Sequence, residues 1–310
     1  MLETLINKIS EKHNADIYFY AGPISRLACN GLLFTEKLNE NALLILYTFG
    51  GDPDAAYKIV KHFHKNYNQF KILILDSCKS AGSLISLGAD EVIMGPHGEL
   101  GPLDMQQSKS DEVGELTSHL NIPIALNVLS NRAVISFQHY LAEIRKNTKA
   151  QVTTKTAADI AARLSIGLHS KIFEKIDPST LGEGERAIQI AHKYAERIQK
   201  GNLMENCINN LIYNYPSHGF VIDYEEATKL FKNVKEADEN EKTLLLLMSD
   251  IFCKIKEAGG LFTQPDGSEI YFKNLTEVYN ADSQNEVRGK SDQSDSTAAT
   301  AQTNENCIPT

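Results

Sequence analysis

The sequence predicts an α/β protein with a mostly parallel sheet and a helical C-terminal extension, and three strand patterns support this fold class. The strands are predicted at residues 43–48, 70–75 and 90–94, with helical segments between them. The first of these, LLILYT, is apolar on both faces, which is typical of a strand in a buried parallel sheet. Strands that alternate with helices at this spacing favour right-handed crossovers and helices on both faces of the sheet.

The segments around these strands complete the predicted sheet and its helices. DIYFY at 16–20 predicts a further strand because it is rich in aromatic and β-branched residues. Pro53 suits the first turn of a helix, and Gly50-Gly51 marks the turn before it. Apolar residues recur at helical spacing at 2–12, 25–38 and 53–67, and a further helix rich in small residues is predicted at 80–88.

The second half of the sequence is predicted to be mainly helical. A hairpin follows at 259–272 with Pro265-Asp266-Gly267 as its turn, and 281–310 has the polar composition of a disordered tail. We expect a core domain at 1–235 that includes the helical region from about 120, an extension at 236–280 and the tail at 281–310. Helices are predicted at 129–146, 156–174, 183–200, 203–213, 223–233 and 239–258.

Composition and charge exclude several classes of protein. The 310 residues carry 40 acidic and 31 basic side chains, a net charge of -9, so a nucleic-acid partner is not expected. No apolar stretch approaches the roughly 18 residues that cross a bilayer, so membrane insertion is not expected either. The N-terminus has both charge signs at helical spacing and no signal core, and we expect a cytoplasmic protein.

The cysteines and histidines suggest no metal site or cofactor. The five cysteines include no CxxC or CxxH pair, so we interpret them as small buried hydrophobic residues and predict neither zinc nor disulfides. His62 and His64 are two residues apart on a predicted helix and therefore do not share a face.

Two segments could carry chemistry, because ligands of a parallel sheet gather at the carboxyl ends of its strands. TFGGDP at 48–53 is a glycine turn, and CKSAGS at 78–83 places serine at the start of a helix. Taken alone, the first suggests a tight turn and Ser80 suggests a helix N-cap. Together they could supply a nucleophilic oxygen beside two amide donors, as acyl transfer requires. Lys79 precedes Ser80, and no phosphate-binding loop motif is present.

Three segments carry a resemblance to a known family. TFGGDPDAA at 48–56, SAGSLISLGADEVIMGPHGELGPLD at 80–104 and SHGFVIDYEEA at 217–227 are similar to segments of the serine dehydrogenase proteinase family. That family consists of Clp-fold serine peptidases in the ClpP/crotonase superfamily and is related to signal peptide peptidase A. The resemblance implies a ClpP/crotonase-like spiral of repeated ββα units. It also implies homo-oligomerisation.

The resemblance assigns roles to the strand-end residues. It implies that Ser80 is the nucleophile, that the amides of Gly51 and Ala81 form the oxyanion hole, and that Gly50 supports the turn. Phe49 replaces the proline usual before the glycine pair. Ser83 is the rival nucleophile, but it lies one helical turn further on.

The general base is less well defined by the sequence. In ClpP a histidine follows the third strand, where this chain has Asp104, whereas His218 lies in one of the matching segments. We therefore propose His218 as the base and Asp104 as the carboxylate that orients it, since triads are defined by geometry and not by chain order. His218 could instead cap or pack against the next helix, Asp104 could be a turn residue, and a lysine base stays possible.

The function predicted from the sequence is that of a serine endopeptidase acting on a peptide or protein substrate. A crotonase-like acyl-CoA enzyme would use the same two-amide oxyanion site but needs catalytic carboxylates in place of a nucleophilic serine. A non-catalytic oligomeric scaffold would keep the fold and lack the base.

Overall fold

The computed structural model describes residues 2–32, 35–103, 106–108, 116–118, 121–149, 151–257, 262–263 and 269–275. They group into two compact units. The first unit consists of Met1–Gly101, Ile198–Cys207 and Val221–Thr310, and the second of Pro102–Arg197 and Ile208–Phe220. The predicted domain boundaries at 235 and 280 stay a prediction.

The elements alternate between helix and strand in the first third of the chain. They are α1 (Leu2–His13), β1 (Ala15–Ala21), α2 (Arg26–Leu32), β2 (Asn41–Thr48), α3 (Pro53–Asn66), β3 (Phe70–Cys78), α4 (Ala81–Leu87), β4 (Glu91–Met94) and β5 (Glu99–Leu100). Next come β6 (Gln106–Ser108), β7 (Leu116–Ser118), α5 (Asn121–Asn147), α6 (Thr154–Phe173), α7 (Pro178–Ile198) and α8 (Cys207–Tyr213). The last are α9 (Tyr224–Ala227), β8 (Val234–Glu236), α10 (Glu239–Glu257), β9 (Phe262–Thr263) and β10 (Glu269–Asn274).

The sheet of the first unit has the order β8-β4-β3-β2-β1-β10-β9, and β5 pairs with the end of β3. The strands from β8 to β1 are parallel to one another, whereas β10 runs antiparallel to β1 and to β9. The predicted α/β class with a mostly parallel sheet is thus confirmed. Because successive strands from β1 to β4 are neighbours, right-handed crossovers place α2, α3 and α4 on one face.

Helices cover both faces of this sheet, and neighbouring residues of β1 show it. Phe19 lies in a buried cluster with Ile6 of α1 and Leu244 of α10. Tyr18 points to the opposite face, where its ring packs edge-on against Phe63 of α3 with 5.2 Å between centroids. The alternation of side chains along a strand therefore fills two cores.

Two predicted helices are shorter than their apolar spacing suggested. The helix predicted at 25–38 ends at Leu32, and further on the N–H groups of Leu38 and Asn39 donate to the buried Asp16 carboxylate at 3.0 Å each. The helix predicted at 223–233 ends at Ala227, because the chain then pairs with β4 as β8. In both places a tertiary hydrogen bond outweighs a weak local preference.

The C-terminal elements are described only in part. The predicted hairpin is present as the antiparallel pairing of β9 with β10, but its turn at 265–267 lies outside the described residues. The tail predicted at 281–310 lies outside them as well. Among the helices that the structure describes, none combines the length and the apolar character needed to cross a membrane.

In the second unit, α5 and α6 pack against each other. Ser165 on α6 donates a hydrogen bond of 2.7 Å to the Ala133 carbonyl on α5. The face of α6 that packs inward carries small or polar residues, namely Ala157, Ala161, Ser165 and His169.

A buried carboxylate joins α1 to α10. Glu241 is fully buried, and its Oε1 accepts hydrogen bonds from Lys12 at 2.6 Å and from His13 at 2.8 Å. Its Oε2 accepts from the Asp238 N–H at 2.8 Å. Burial alone would raise the pKa of Glu241, but the His13 and Lys12 hydrogen bonds outweigh it and lower the pKa to about 2.

We predict that this network makes the fold sensitive to acid. A carboxylate whose pKa falls from 4.5 in the unfolded chain to about 2 stabilises the fold fully above pH 4.5 and loses that contribution as the pH falls towards 2. Urea unfolding followed by circular dichroism should show a loss on the order of 3 kcal/mol over this range. Glu241→Gln should remove most of this dependence of the unfolding free energy on pH. Glu239→Gln, on the exposed first turn of α10, should leave that dependence unchanged. Equal slopes in the two variants would contradict this.

Candidate active site

The turn after β2 is shaped by a close approach to the segment that follows β1. Gly50 and Gly51 have φ of 119° and 140°, values that side-chain-bearing residues rarely adopt. The Ile24 N–H donates to the Gly50 carbonyl at 2.8 Å, and the Asp52 N–H donates to the Ile24 carbonyl at 2.8 Å. A Cβ on Gly51 would lie 2.3 Å from the Ile24 carbonyl oxygen, so only glycine fits.

These hydrogen bonds fix the direction of the Gly51 amide. The peptide between Gly50 and Gly51 is trans, so its C=O and N–H point in opposite directions. Since the C=O points to Ile24 on the β1 side, the Gly51 N–H points to the side on which β3 ends. The Ile24 carbonyl accepts from the Asp52 N–H and not from the Gly51 N–H.

The turn after β3 holds Ser80 in a strained conformation. Ser80 is one of four non-glycine residues with a positive φ in the described part of the chain, and its φ and ψ are 50° and -109°. The other three are Asn14, Lys149 and Asn206. It occupies the N-cap position of α4, yet its side chain makes no capping hydrogen bond. Ser80 thus lies at the N-cap, as the sequence suggested, but its side chain does not cap the helix.

Ser80 and Gly50 lie against each other. A Cβ built on Gly50 would come within 2.9 Å of the Ser80 Cβ and within 3.4 Å of its Oγ. The Lys79 N–H donates to the Thr48 carbonyl at 2.9 Å, which holds the two turns together. Ala81 is the first residue of α4, so its N–H has no acceptor within the helix. The structure thus brings Ser80 beside Gly50 at the carboxyl edge of the sheet, with the Gly51 and Ala81 amides in the same two turns.

Ser83 is occupied by structural hydrogen bonds. Its Oγ lies 2.7 Å from the Gly101 carbonyl oxygen and 3.0 Å from that of Cys78, so its one proton can be donated to either, and it accepts from the Gly101 N–H at 3.2 Å. The side chain is 1% exposed. Ser83 therefore fixes α4 to the chain after β5, and the rival assignment of the nucleophile to Ser83 does not fit this geometry.

The lysine next to Ser80 is also occupied. Lys79 is buried, and its Nζ lies 2.8 Å from Glu99 Oε1 on β5 and 3.3 Å from the Leu100 carbonyl oxygen. Ser77 donates to the same carboxylate oxygen at 3.0 Å. Because its Nζ is engaged by Glu99 and by the Leu100 carbonyl, Lys79 fixes the strand end and is not directed at Ser80 as a base would be.

The five glycines between Ser80 and Leu103 allow close backbone packing. A Cβ on any of the five would lie 2.8 Å or less from a neighbouring atom. Gly101, for instance, leaves room for the Lys79 side chain, whose Cδ would lie 2.5 Å from such a Cβ. The others are Gly82, Gly88, Gly95 and Gly98.

Of the two proposed partners of Ser80, the structure describes His218 but not Asp104. His218 is half-buried in a turn and belongs to the second unit, whereas Ser80 belongs to the first. Asp223 caps α9 by accepting from the Glu226 N–H, so His218 is not the cap. Asp104 lies outside the described residues. The pairing of His218 with Ser80 and Asp104 stays a prediction.

The described cysteine thiols are poor nucleophiles. Cys78 and Cys207 are buried, as predicted, and burial raises the pKa of each thiol to about 12. Cys29 is half-buried, and burial raises its pKa to about 11. Among the described residues no three His, Cys, Asp or Glu side chains converge as a metal site would require.

Comparisons with known proteins do not identify a family for this chain. No protein-family model and no curated protein matches the chain. Among solved structures, a serine-to-alanine mutant of a membrane-bound stomatin-specific protease is similar over 47% of this chain and 68% of that one. The two share 16% sequence identity with a TM-score of 0.30, which does not establish a common fold.

We predict opposite effects of substituting the two serines on stability. Ser80→Gly should raise the free energy of unfolding by about 1 kcal/mol, because glycine relieves the positive φ. Ser83→Ala should lower it by about 2 kcal/mol, because the buried Gly101 carbonyl loses its Ser83 donor and the Gly101 N–H keeps only the Cys78 carbonyl as acceptor. Urea denaturation measures both. A destabilised Ser80→Gly would show that Ser80 is not strained.

Proposed function

We propose that the chain is a serine peptidase that hydrolyses peptide bonds through an acyl-enzyme on Ser80. The observation that carries this proposal is the conformation of Ser80, which is strained at a strand end and does not use its side chain to cap the helix. Backbone strain persists only where surrounding contacts enforce it, and it is concentrated at active sites. The hydrogen bonds of Ser83 with Gly101 and Cys78 and the Lys79–Glu99 pair are such contacts.

The proposed reaction needs only groups of the chain and water. Ser80 Oγ attacks the carbonyl carbon of the scissile bond while its proton passes to the base. The negative charge that develops on the carbonyl oxygen is stabilised by the N–H groups of Gly51 and Ala81. The C–N bond then breaks, the amine leaves with the proton from the base, and water hydrolyses the ester on Ser80.

His218 is the proposed base, with Asp104 orienting its ring. A serine hydroxyl is a weak nucleophile at neutral pH, so it requires such a partner. Of the lysines, Lys79 is excluded by its ion pair with Glu99. A crotonase-like acyl-CoA enzyme is less well supported, because its mechanism uses no serine nucleophile and so does not explain the strained conformation of Ser80.

A covalent probe tests the nucleophile. A fluorophosphonate should form a bond between its phosphorus and Ser80 Oγ with loss of fluoride, because the oxyanion donors stabilise the attacked centre. We expect Ser80→Ala to abolish labelling and peptide hydrolysis. Mass spectrometry of the digested protein should locate the adduct at Ser80.

Ser83→Ala serves as the matched control, at a temperature where circular dichroism shows it folded. It should keep its labelling, since Ser83 is buried among structural bonds. Loss of labelling in folded Ser83→Ala with retention in Ser80→Ala would reverse the assignment. No labelling of the unsubstituted chain would favour a scaffold.

A pH profile tests the base. His218→Ala should reduce the labelling rate about 100-fold or more and remove the inflection that a histidine base produces near neutral pH. His192→Ala is a control, because His192 lies within reach of Glu196 on α7. Unchanged labelling of His218→Ala would transfer the role of base to a lysine and leave Ser80 in place. The predicted homo-oligomer also stays a prediction, for which light scattering gives the native mass.

A further inference from the structure

A basic surface lies on the outer side of α3. Lys58, Lys61, His62 and Lys65 are three, four and seven residues apart, so they share one face of the helix. The opposite face, with Ile59, Val60 and Phe63, is buried against the sheet. These basic residues are therefore not required for the packing of α3.

This basic face borders a cleft of about 530 Å³, within the range of small-molecule sites. Its floor includes the ring of Tyr67, whose hydroxyl is held by the buried Asp16 at 2.8 Å. We call it the lysine cleft. It is lined by Thr35, Lys37, Lys58, Lys61, His62, Lys65, Asn66 and Tyr67.

The cleft concentrates positive charge, and of its four lysines only Lys37 has a carboxylate at ion-pair distance among the described residues. Lys37 lies 3.4 Å from Glu40 and 5.6 Å from the centroid of the Tyr67 ring. Lys58, Lys61 and Lys65 have no carboxylate at ion-pair distance among the residues that the structure describes. Four ammonium groups on one concave surface repel one another, in a chain whose net charge is -9. A cleft lined by one sign of charge focuses its field and attracts the opposite ion.

We infer that the lysine cleft binds a small polyanion that carries two or more phosphoryl groups. The ammonium group of lysine is a compact point charge that suits phosphate oxygens. Lys58 and Lys65 are separated by about 10 Å along the helix axis, which exceeds one phosphate and matches a chain of two or three. A nucleoside triphosphate and an inorganic polyphosphate offer this chemistry equally.

The cleft is separate from the candidate active site. Both involve α3, but Gly51 precedes its first turn whereas the lysines lie in its middle and last turns. The inference therefore does not depend on Ser80 being a nucleophile. Either could fail without the other.

Calorimetric titration of the full chain with tripolyphosphate, at 0.15 M ionic strength to screen weak surface attraction, tests the inference. We expect saturable binding that Lys61→Gln/Lys65→Gln weakens about tenfold or more. The double variant Lys8→Gln/Lys171→Gln removes the same charge from exposed positions elsewhere and should bind as the unsubstituted chain does. Adenosine triphosphate that binds more tightly than tripolyphosphate identifies a nucleotide, and equal binding identifies the phosphate chain alone.

Three results would overturn the inference. The first is an absence of saturable binding. The second is equal weakening in both double variants, which would mean general attraction to the charge of the whole protein. The third is tighter binding of a tetra-aspartate peptide than of tripolyphosphate, which would assign the cleft to acidic protein segments.

Discussion

The hydrogen bonds between Ile24 and the glycine turn determine how the candidate site is built. They hold the Gly50 carbonyl on the β1 side of the sheet, and a trans peptide then directs the Gly51 N–H to the β3 side. No side chain fits between Gly51 and Ile24, so the contact is available only to glycine. The Gly51 amide, for which an oxyanion role is proposed, is therefore positioned by backbone contacts alone.

The strain at Ser80 is offset by bonds that its neighbours make. Ser83 ties α4 to Gly101, the Lys79–Glu99 pair ties the end of β3 to β5, and Lys79 N–H reaches Thr48. Each of these bonds has one end within three residues of Ser80 and the other on a more distant segment. A local conformation that costs about 1–3 kcal/mol can persist only when such neighbours over-determine it. A serine needed only for a helix cap would require none of this.

The sequence predicted the parts of the fold that local patterns encode. Strands such as 43–48 and 70–75 are found where their apolar runs lie, because buried parallel strands admit few polar residues. It missed β8 and the pairing of β10 with β1, since both depend on partners more than a hundred residues away. At the site, sequence identified Ser80 and the glycine pair, but not the ion pair that neutralises Lys79. A single sequence does not show which carboxylate pairs with a given lysine, as Glu99 does with Lys79.

Helix α3 begins next to the candidate active site and carries most of the lysine cleft on its outer face. Its first turn is anchored by the Asp52 cap, whose side chain accepts from Asp54 N–H, and by the Asp52 N–H bond to Ile24. Its buried face packs through Phe63 on Phe70, with stacked rings 4.5 Å apart. A helix fixed at its start and along one face has little freedom to move when its outer face is occupied. A ligand can shift a conformation only if it binds two states with different affinities. An anion in the lysine cleft should therefore hold α3 in place and leave the conformation of Ser80 unchanged.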